Sequence, residues 1–425
     1  MLKNVKTISE KLQTIWRKVY VVGSYNVHAI LKKNFWADID LTTDARPEDI
    51  RKVLRVVWDI WSKYWTLIVR EWWEIFEITT FRKDIWTHDK RRPKEVYFTD
   101  SLVEDAQRRD FTFNAIYYDV LKDEYLDPTW WIEDLKRWII RFVGDIESRL
   151  DEDVLRILRY VRLKNKYHLE DFSPTYKEVV KKRMPEIVNL AKERIKQELD
   201  KMLLDKTNIW CLKNLKELGF FRVYLPQIDN LSLTPGWKKM HLEWDVWVHT
   251  LMSLEILNHL KCDDVDIYWA TLLHDIWKYS TYSFDDYGNV HYFKHEYEWV
   301  KMFDAFIRKK LNFPKRSADK IKWIILNHIR IWMADVMRPV KRNRFMMHEY
   351  FKDLLILYRV DNIWKEPKDE QWVILLENMF EEFSQKLWQV KFLTGKDIME
   401  KYPNLTWREI WTMLRQENDR ILSKL

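Results

Sequence analysis

Ala37-Asp38-Ile39-Asp40-Leu41-Thr42-Thr43 is the stretch whose reading decides the fold. Side chains alternate along an extended chain, so Asp38 and Asp40 project to one side and Ile39 to the other. Two carboxylates so placed can share divalent cations. An isolated Asp-x-Asp is more often an exposed surface pair, so its surroundings matter. Upstream, Val19-Tyr20-Val21-Val22 is a β-rich run, and Gly23-Ser24 follows it before a helical segment, in the manner of a phosphate-cradling turn. Downstream, residues 67–69, 75–80 and 116–118 are further β-rich runs, with residues 47–57 read as a helix between them. Residues 17–120 therefore read as mixed α/β. From about residue 145 the period becomes helical. Residues 151–163 place Val154, Leu155, Leu158 and Val161 at helical spacing, and residues 193–204 form a second amphipathic segment. Leu233-Thr234-Pro235-Gly236 punctuates the chain. Residues 240–365 are again helical and hold most of the histidines, and a helical tail follows Glu366-Pro367.

A chain of 425 residues is too long for one core and calls for several domains. Its 47% hydrophobic and 33% charged residues make a soluble, folded balance. No uninterrupted apolar run of about 18 residues exists to span a membrane. The first residues have no signal-peptide layout. Cys211 and Cys262 alone exclude a disulfide framework and a thiolate zinc site, so the expected location is cytoplasmic. A net charge of +7 is thin support for a polyanionic partner.

One ratio is abnormal: 25 Trp stand against 6 Gly, whereas glycine alone normally supplies about 7% of residues. The tryptophans also occur where glycine chemistry is expected. Trp72-Trp73 separate two strand-like runs, Trp130-Trp131 follow Asp127-Pro128, and Trp277 lies in Leu272-Leu273-His274-Asp275-Ile276-Trp277-Lys278. Forcing a large side chain into a tight site costs about 1–3 kcal/mol. Ten such sites would exceed a total stability of about 5–15 kcal/mol. The expectation is that most are UGA codons, tryptophan in one code and glycine in the source cell, rather than a genuinely Trp-rich protein.

Several motifs then occur in order. Gly23-Ser24-Tyr25-Asn26-Val27-His28 and Asp38-Ile39-Asp40 are followed by Glu74-Ile75-Phe76-Glu77-Ile78-Thr79-Thr80-Phe81-Arg82. Next come Arg108-Arg109-Asp110-Phe111-Thr112-Phe113-Asn114-Ala115, Ile132-Glu133-Asp134-Leu135 and Phe142-Val143-Gly144-Asp145. Glu152-Asp153-Val154-Leu155-Arg156 and Glu193-Arg194-Ile195-Lys196-Gln197-Glu198 complete the series. This order resembles the class II, bacterial-type CCA-adding tRNA nucleotidyltransferases and poly(A) polymerases with a fused HD domain. The resemblance implies an α+β fold: a polymerase-β-like nucleotidyltransferase head followed by an all-α neck and body, an HD domain and a helical tail. The corresponding boundaries are 1–145, 146–235, 236–365 and 366–425.

By that resemblance Asp38 and Asp40 are catalytic and hold Mg2+, which activates a 3′ hydroxyl and stabilises departing pyrophosphate. Gly23, Ser24, Arg109, Asp153, Arg156, Arg159 and Arg162 bind the nucleotide, while Asp110 and Asn114 organise the site. On their residues alone, Asp153 and Arg156 are i and i+3 neighbours on one helix, which also fits an ordinary surface ion pair. Arg109 likewise has Asp105 and Asp110 within reach. The family's Gly-Gly-x-Val-Arg-Asp is not fully matched: Ser24 replaces the second glycine, and Val27 or His28 stands near the missing arginine. Lys32 or Lys33 is the candidate substitute for that charge.

The second constellation is His249, His274-Asp275 and Asp361, in the order of an HD metal phosphohydrolase, with His295-Glu296 and His328 as further candidates. Imidazoles and carboxylates converging from separate helices suit a divalent metal such as Mg, Mn or Ni. The tail motifs Phe392-Leu393-Thr394-Gly395-Lys396-Asp397 and Trp407-Arg408-Glu409-Ile410-Trp411 extend the resemblance. Expected partners are tRNA with CTP and ATP, and no membrane; the oligomeric state is unspecified. Expected activity is template-independent CCA addition, with phosphohydrolase action at the HD site. The alternatives are an A-adding, CC-adding or poly(A) polymerase relative, or an RNA-binding HD phosphohydrolase with an inactive head.

Overall fold

A computed structural model describes all residues except 33–37, 62–65, 87–92, 129–130, 235–244, 288–289, 293–298, 300 and 363–369. Lys33, Trp130, Pro235, Gly236, Trp244, His295, Glu296, Glu366 and Pro367 thus lie outside the described residues. The chain divides into two compact units, one of residues 1–198 with 217–223, the other of residues 199–216 with 224–425.

The first unit is built on strand β1, Val19–Val22, every residue of which is buried. Alternate side chains feed two different cores. Val19 and Val21 meet Val5, Ile8 and Leu12 of helix α1, Leu2–Gln13, whereas Tyr20 and Val22 meet Phe81, Ala115, Tyr117 and Val143. A strand covered on both faces must be apolar throughout, which is why it reads as an uninterrupted hydrophobic run. Each such side chain contributes about 1.5–3 kcal/mol on burial.

Around β1 the sheet assembles from β2 (Asp40–Thr43), β3 (Val56–Trp61), β4 (Thr66–Glu71) and β5 (Glu74–Thr80). A separate hairpin, β6 (Arg82–Trp86) with β7 (Pro93–Phe98), precedes the last two strands, β8 (Tyr117–Asp119) and β9 (Glu124–Leu126). The seven-stranded order is β3-β4-β5-β2-β1-β8-β9. β1 and β2 are antiparallel with Val22 opposite Asp40, while β2 and β5 are parallel with Asp40 opposite Glu77.

Two readings change. The helix expected over 47–57 spans only Pro47–Val53, because the β-branched pair Val56-Val57 starts β3. The helix expected over 151–163 is two helices, Ile146–Glu152 and Arg156–Tyr167, joined at Asp153 in an extended conformation (φ −154°, ψ 104°). The Asp153 carboxylate accepts the Leu155 N–H at 3.1 Å, a local bond that competes with helical pairing. The helix Lys192–Leu203 matches its reading.

In the second unit the helix Val265–Leu273 is buried from Ile267 to Leu273. Helices Val246–His259, Lys315–Asn327 and Phe351–Asn362 pack around it. Such all-round burial explains why it is apolar on every face. The stretch expected to be wholly helical also contains a hairpin, Tyr282–Phe284 paired with Val290–Tyr292. The last helix, Trp407–Ser423, packs on Pro339–Met346, where buried Asn343 donates Nδ2–H to the Leu422 carbonyl at 2.7 Å. Among the described residues no helix is long and apolar enough to cross a membrane.

Candidate active sites

At the β1–β2 edge the alternation predicted for the acids is observed. Asp38 and Asp40 are exposed and Ile39 is buried, although β2 itself begins only at Asp40. Gly23, with φ +76°, ends β1 directly beside them, and a Cβ there would stand 3.0 Å from Asp40 Oδ2. Only glycine satisfies both the left-handed φ and that clearance. The Ser24 hydroxyl donates to the Asp38 carbonyl at 3.2 Å, so the turn and the acidic segment are tied. Asn26, fully buried, donates both amide hydrogens, to the Val21 and Ile116 carbonyls at 2.8 Å each.

Glu77 is a third exposed carboxylate at this edge, opposite Asp40 in the parallel pair. Sequence reading passed over it, although period-2 alternation in Phe76-Glu77-Ile78-Thr79 carried the signal. The Asp40 pKa is raised, first by desolvation from the protein packed around the carboxylate, whose surface still reaches solvent, and next by the charge of Glu77, with Asp38 adding to them and Arg109 and Arg159 opposing. A carboxylate whose charge is opposed by neighbouring carboxylates in this way belongs to a donor set that a hard cation relieves. The residues present therefore fit magnesium.

The basic residues expected at the nucleotide are held in a network. Arg109 donates to Asp105 (Nη2–Oδ2 2.9 Å), to the Tyr117 hydroxyl at 3.1 Å and to the Asn114 carbonyl at 3.2 Å. Burial would raise the Asp105 pKa, but Arg109 and Arg108 outweigh it and hold the carboxyl at about 2, aided by the Tyr117 hydroxyl. Asp110 is held at about 2 against the effect of burial, by Arg159 and by Asn114. Arg159 donates Nε–H to Asp110 at 2.6 Å, and Asn114 donates Nδ2–H to the same carboxylate at 2.9 Å. Arg162 donates to Glu198 at 2.7 Å. Arg149, unread in the sequence, donates one amino group to the carbonyls of Arg108 (2.7 Å) and Arg109, which fastens the Arg-Arg-Asp segment from beneath.

Asp153 and Arg156 are not surface neighbours on one helix. Both are buried, at 9% and 6% exposure, and they flank the helix junction. Arg194 forks onto Asp153 at 2.6 and 3.3 Å, and Arg156 binds Glu152 and the Arg149 carbonyl (2.6 Å). The two residues near the missing loop arginine, Val27 and His28, are also buried, so neither presents a charge to solvent.

In the second unit His249, His274, Asp275 and Asp361 come together as predicted, each offering a ligand atom within 4.8 Å of the others, and all four are buried. His249 Nε2 lies 2.9 Å from Asp361, and His274 Nε2 lies 3.2 Å from Asp275. His274 Nδ1–H points at the Thr271 carbonyl, 2.7 Å away. That bond leaves Nε2 turned to the cluster, facing the carboxylates of Asp275 and Asp361. This is the arrangement of a metal-ligating imidazole fixed by its other nitrogen. Burial lowers the His274 pKa but Asp275 and Asp361 more than reverse that, to about 10. Two carboxylates drawing a proton onto a buried imidazole mark where a cation belongs. One residue not foreseen joins the cluster, Lys278, whose Nζ lies 2.5 Å from Asp275, and the ring of His328, a further candidate in the sequence, stands edge-on to His274 at 5.7 Å.

Three family models match the chain in order. "Poly A polymerase head domain" covers residues 19–141, "Probable RNA and SrmB- binding site of polymerase A" covers 171–231, and "HD domain" covers 246–363. The chain is 33% identical over 258 residues to a CCA-adding enzyme of Staphylococcus haemolyticus, across 61% of this chain and 64% of that one. It is 36% identical over 222 residues to the CCA-adding enzyme of Geobacillus stearothermophilus, across 52% and 53%. The matched stretches thus span less than two thirds of the length of these relatives. The fold extends further. The crystal structure of Bacillus stearothermophilus CCA-adding enzyme in complex with CTP superposes with a TM-score of 0.70 over 100% of this chain and 93% of that one, at 21% identity. The chain thus carries a poly(A) polymerase head domain, an RNA-binding segment and an HD domain in this order, and over its matched stretches it is similar to bacterial CCA-adding enzymes.

Proposed function

We propose that this protein adds C, C and A from CTP and ATP to the 3′ end of tRNA without a nucleic-acid template. The observation that carries the proposal is the exposed Asp38–Asp40 pair, joined by Glu77 and abutted by a glycine turn of positive φ where a Cβ would crowd Asp40 Oδ2 at 3.0 Å. Magnesium held by Asp38 and Asp40 would activate the 3′ hydroxyl and neutralise the departing pyrophosphate. Gly23 and Ser24 leave space for triphosphate beside the acids. Arg109 and Arg159, each felt electrostatically by Asp40, hold positive charge near the reacting phosphates. Asp153 and Arg156 select the base, a carboxylate acceptor and a guanidinium donor being complementary to base edges. Arg162 supports the same wall. The head is assigned to residues 1–145, the neck and body to 146–235, the HD domain to 236–365 and the tail to 366–425. The relatives named as CCA-adding enzymes, one of them solved with CTP, support this reading.

For the RNA partner, an open pocket of about 560 Å³ in the second unit is lined by Arg330, Arg338, Lys341 and Arg344 with Trp323 and Phe345. A basic, aromatic-backed surface suits a polyphosphate backbone. Cys211 and Cys262, which form no disulfide with each other, support a reducing, cytoplasmic setting. The HD cluster is assigned a divalent metal of the Mg, Mn or Ni class and phosphohydrolase action on phosphorylated or cyclic RNA ends.

The test is incubation with tRNA lacking CCA and with each nucleotide separately. Incorporation of two C and one A supports the proposal; A alone, CC alone or a longer A tract would identify a specialised relative. The second reading, an inactive head carrying an active HD hydrolase, is favoured by the buried Val27 and His28. It wins if Asp40→Ala leaves incorporation unchanged while His274→Ala abolishes phosphatase activity.

A further inference from the structure

Left-handed backbone is rare for residues with a side chain and an outlier for bulky ones. Among the described residues eight non-glycine positions have positive φ, and three of them are tryptophan: Trp16 (61°), Trp72 (55°) and Trp138 (59°). The other five are Lys32, Asp123, His168, Lys261 and Asn312, all polar.

Each of the three stands where local hydrogen bonding asks for glycine. After α1, the Trp16 N–H donates to the Gln13 carbonyl and the Arg17 N–H to the Leu12 carbonyl, both at 3.0 Å. Those paired bonds are the Schellman helix stop, whose left-handed residue is usually glycine. Trp138 follows the helix Ile132–Lys136 and its C-cap Arg137, and its N–H donates to Leu135 at 3.0 Å, the shorter of the two bonds in the same motif. Trp72 is the first of two residues closing the β4–β5 hairpin between paired Glu71 and Glu74. A left-handed first position there is the one glycine fills in two-residue hairpins. Burial offsets little of the strain at two of them, since Trp16 is 93% exposed and Trp72 69%.

Trp269 is the opposite case. It is buried inside the helix Val265–Leu273, its indole N–H donates to Asp200 Oδ1 at 2.6 Å, and its ring meets Phe313 edge-on at 5.3 Å.

We infer that the natural protein carries glycine at positions 16, 72 and 138 and tryptophan at 269, so that the tryptophans of this sequence are of two origins. The three are codons the source cell decodes as glycine, and Trp269 is a tryptophan the fold uses. The backbone observation is independent of the composition that first suggested recoding, because φ at these positions is set by hydrogen bonds of neighbouring residues.

The test has two arms. Peptide mass spectrometry on the protein from its source should find glycine at 16, 72 and 138 and tryptophan at 269, with UGA and UGG codons respectively. In the chain as written here, W16G, W72G and W138G should each raise the unfolding midpoint by about 2–4 °C, whereas W269G should lower it by more. Native peptides bearing tryptophan at the three positions overturn the inference, as does a fall in midpoint on replacing them.

Discussion

Gly23 and Asp40 make a pair in which backbone freedom and charge depend on each other. A Cβ at Gly23 would stand 3.0 Å from Asp40 Oδ2, so Gly23→Ala should displace the carboxylate that the reaction needs. Its expected effect is a loss of nucleotide incorporation of at least tenfold, with a smaller loss of thermal stability, read by comparing turnover with the unfolding midpoint. Asp105 makes a different prediction, about pH. Its carboxyl is held at about 2 in the folded chain, against about 3.9 when unfolded. The folded pKa is depressed, so the stabilisation is complete above about pH 4–5 and is lost as pH falls towards 2. Acid unfolding monitored by circular dichroism should therefore be shallower over that window in Asp105→Asn, which also starts from lower stability at pH 7. An unchanged acid profile in the variant would show that the Arg108–Asp105–Arg109 cluster is not the titrating unit.

Helix α2, Ser24–Ile30, and the junction at Asp153 show how single side chains set the course of an element. Asn26 ties α2 to the carbonyls of Val21 and Ile116 from a fully buried position. Asn26→Ala should cost about 1–3 kcal/mol, measured by urea unfolding, because two carbonyls lose their donor inside the protein. At the junction, Asp153 breaks the helix by accepting the Leu155 N–H and is clamped by Arg194. Removing the clamp with Arg194→Lys, which keeps the charge but not the fork, should degrade the choice between CTP and ATP more than overall turnover. Equal loss for both nucleotides would assign Arg194 a purely structural part. The junction also explains what could not be read beforehand. Val154 and Leu155 in the turn keep helical spacing with Leu158 and Val161 of the following helix, so hydrophobic period alone could not reveal the break. The β6–β7 hairpin was unreadable for another reason: Arg82-Lys83-Asp84 lacks the apolar alternation that announces a strand.

The whole molecule consists of two units with separate chemistry, and predictions at this scale concern their independence. His274→Ala should abolish tight binding of manganese or nickel, measured by calorimetry, and leave nucleotide incorporation within about twofold. Asp40→Ala should do the reverse. Metal uptake at the HD cluster should also release protons, because His274, held near pKa 10, must deprotonate to become a ligand. For RNA, substituting Arg338 and Lys341 by alanine should weaken tRNA binding and reduce the slope of log affinity against log salt by about one for each phosphate no longer neutralised. Weakened binding with an unchanged slope would exclude an interaction between that pocket and the phosphate backbone.

What the amino-acid sequence determined by itself was the inventory and its order: a buried strand, a glycine turn, acids one residue apart, an Arg-Arg-Asp segment, and histidines spaced for a shared site. These are local properties, since strand alternation places Asp38 and Asp40 on one side whatever they face. Tertiary structure alone decided the partners. Glu77 reached Asp40 through parallel strand register, Arg194 reached Asp153 from 41 residues away, and Asn26 reached the Ile116 carbonyl from 90 residues away. Long-range register and burial depend on how elements meet, and no periodicity within an element encodes that meeting.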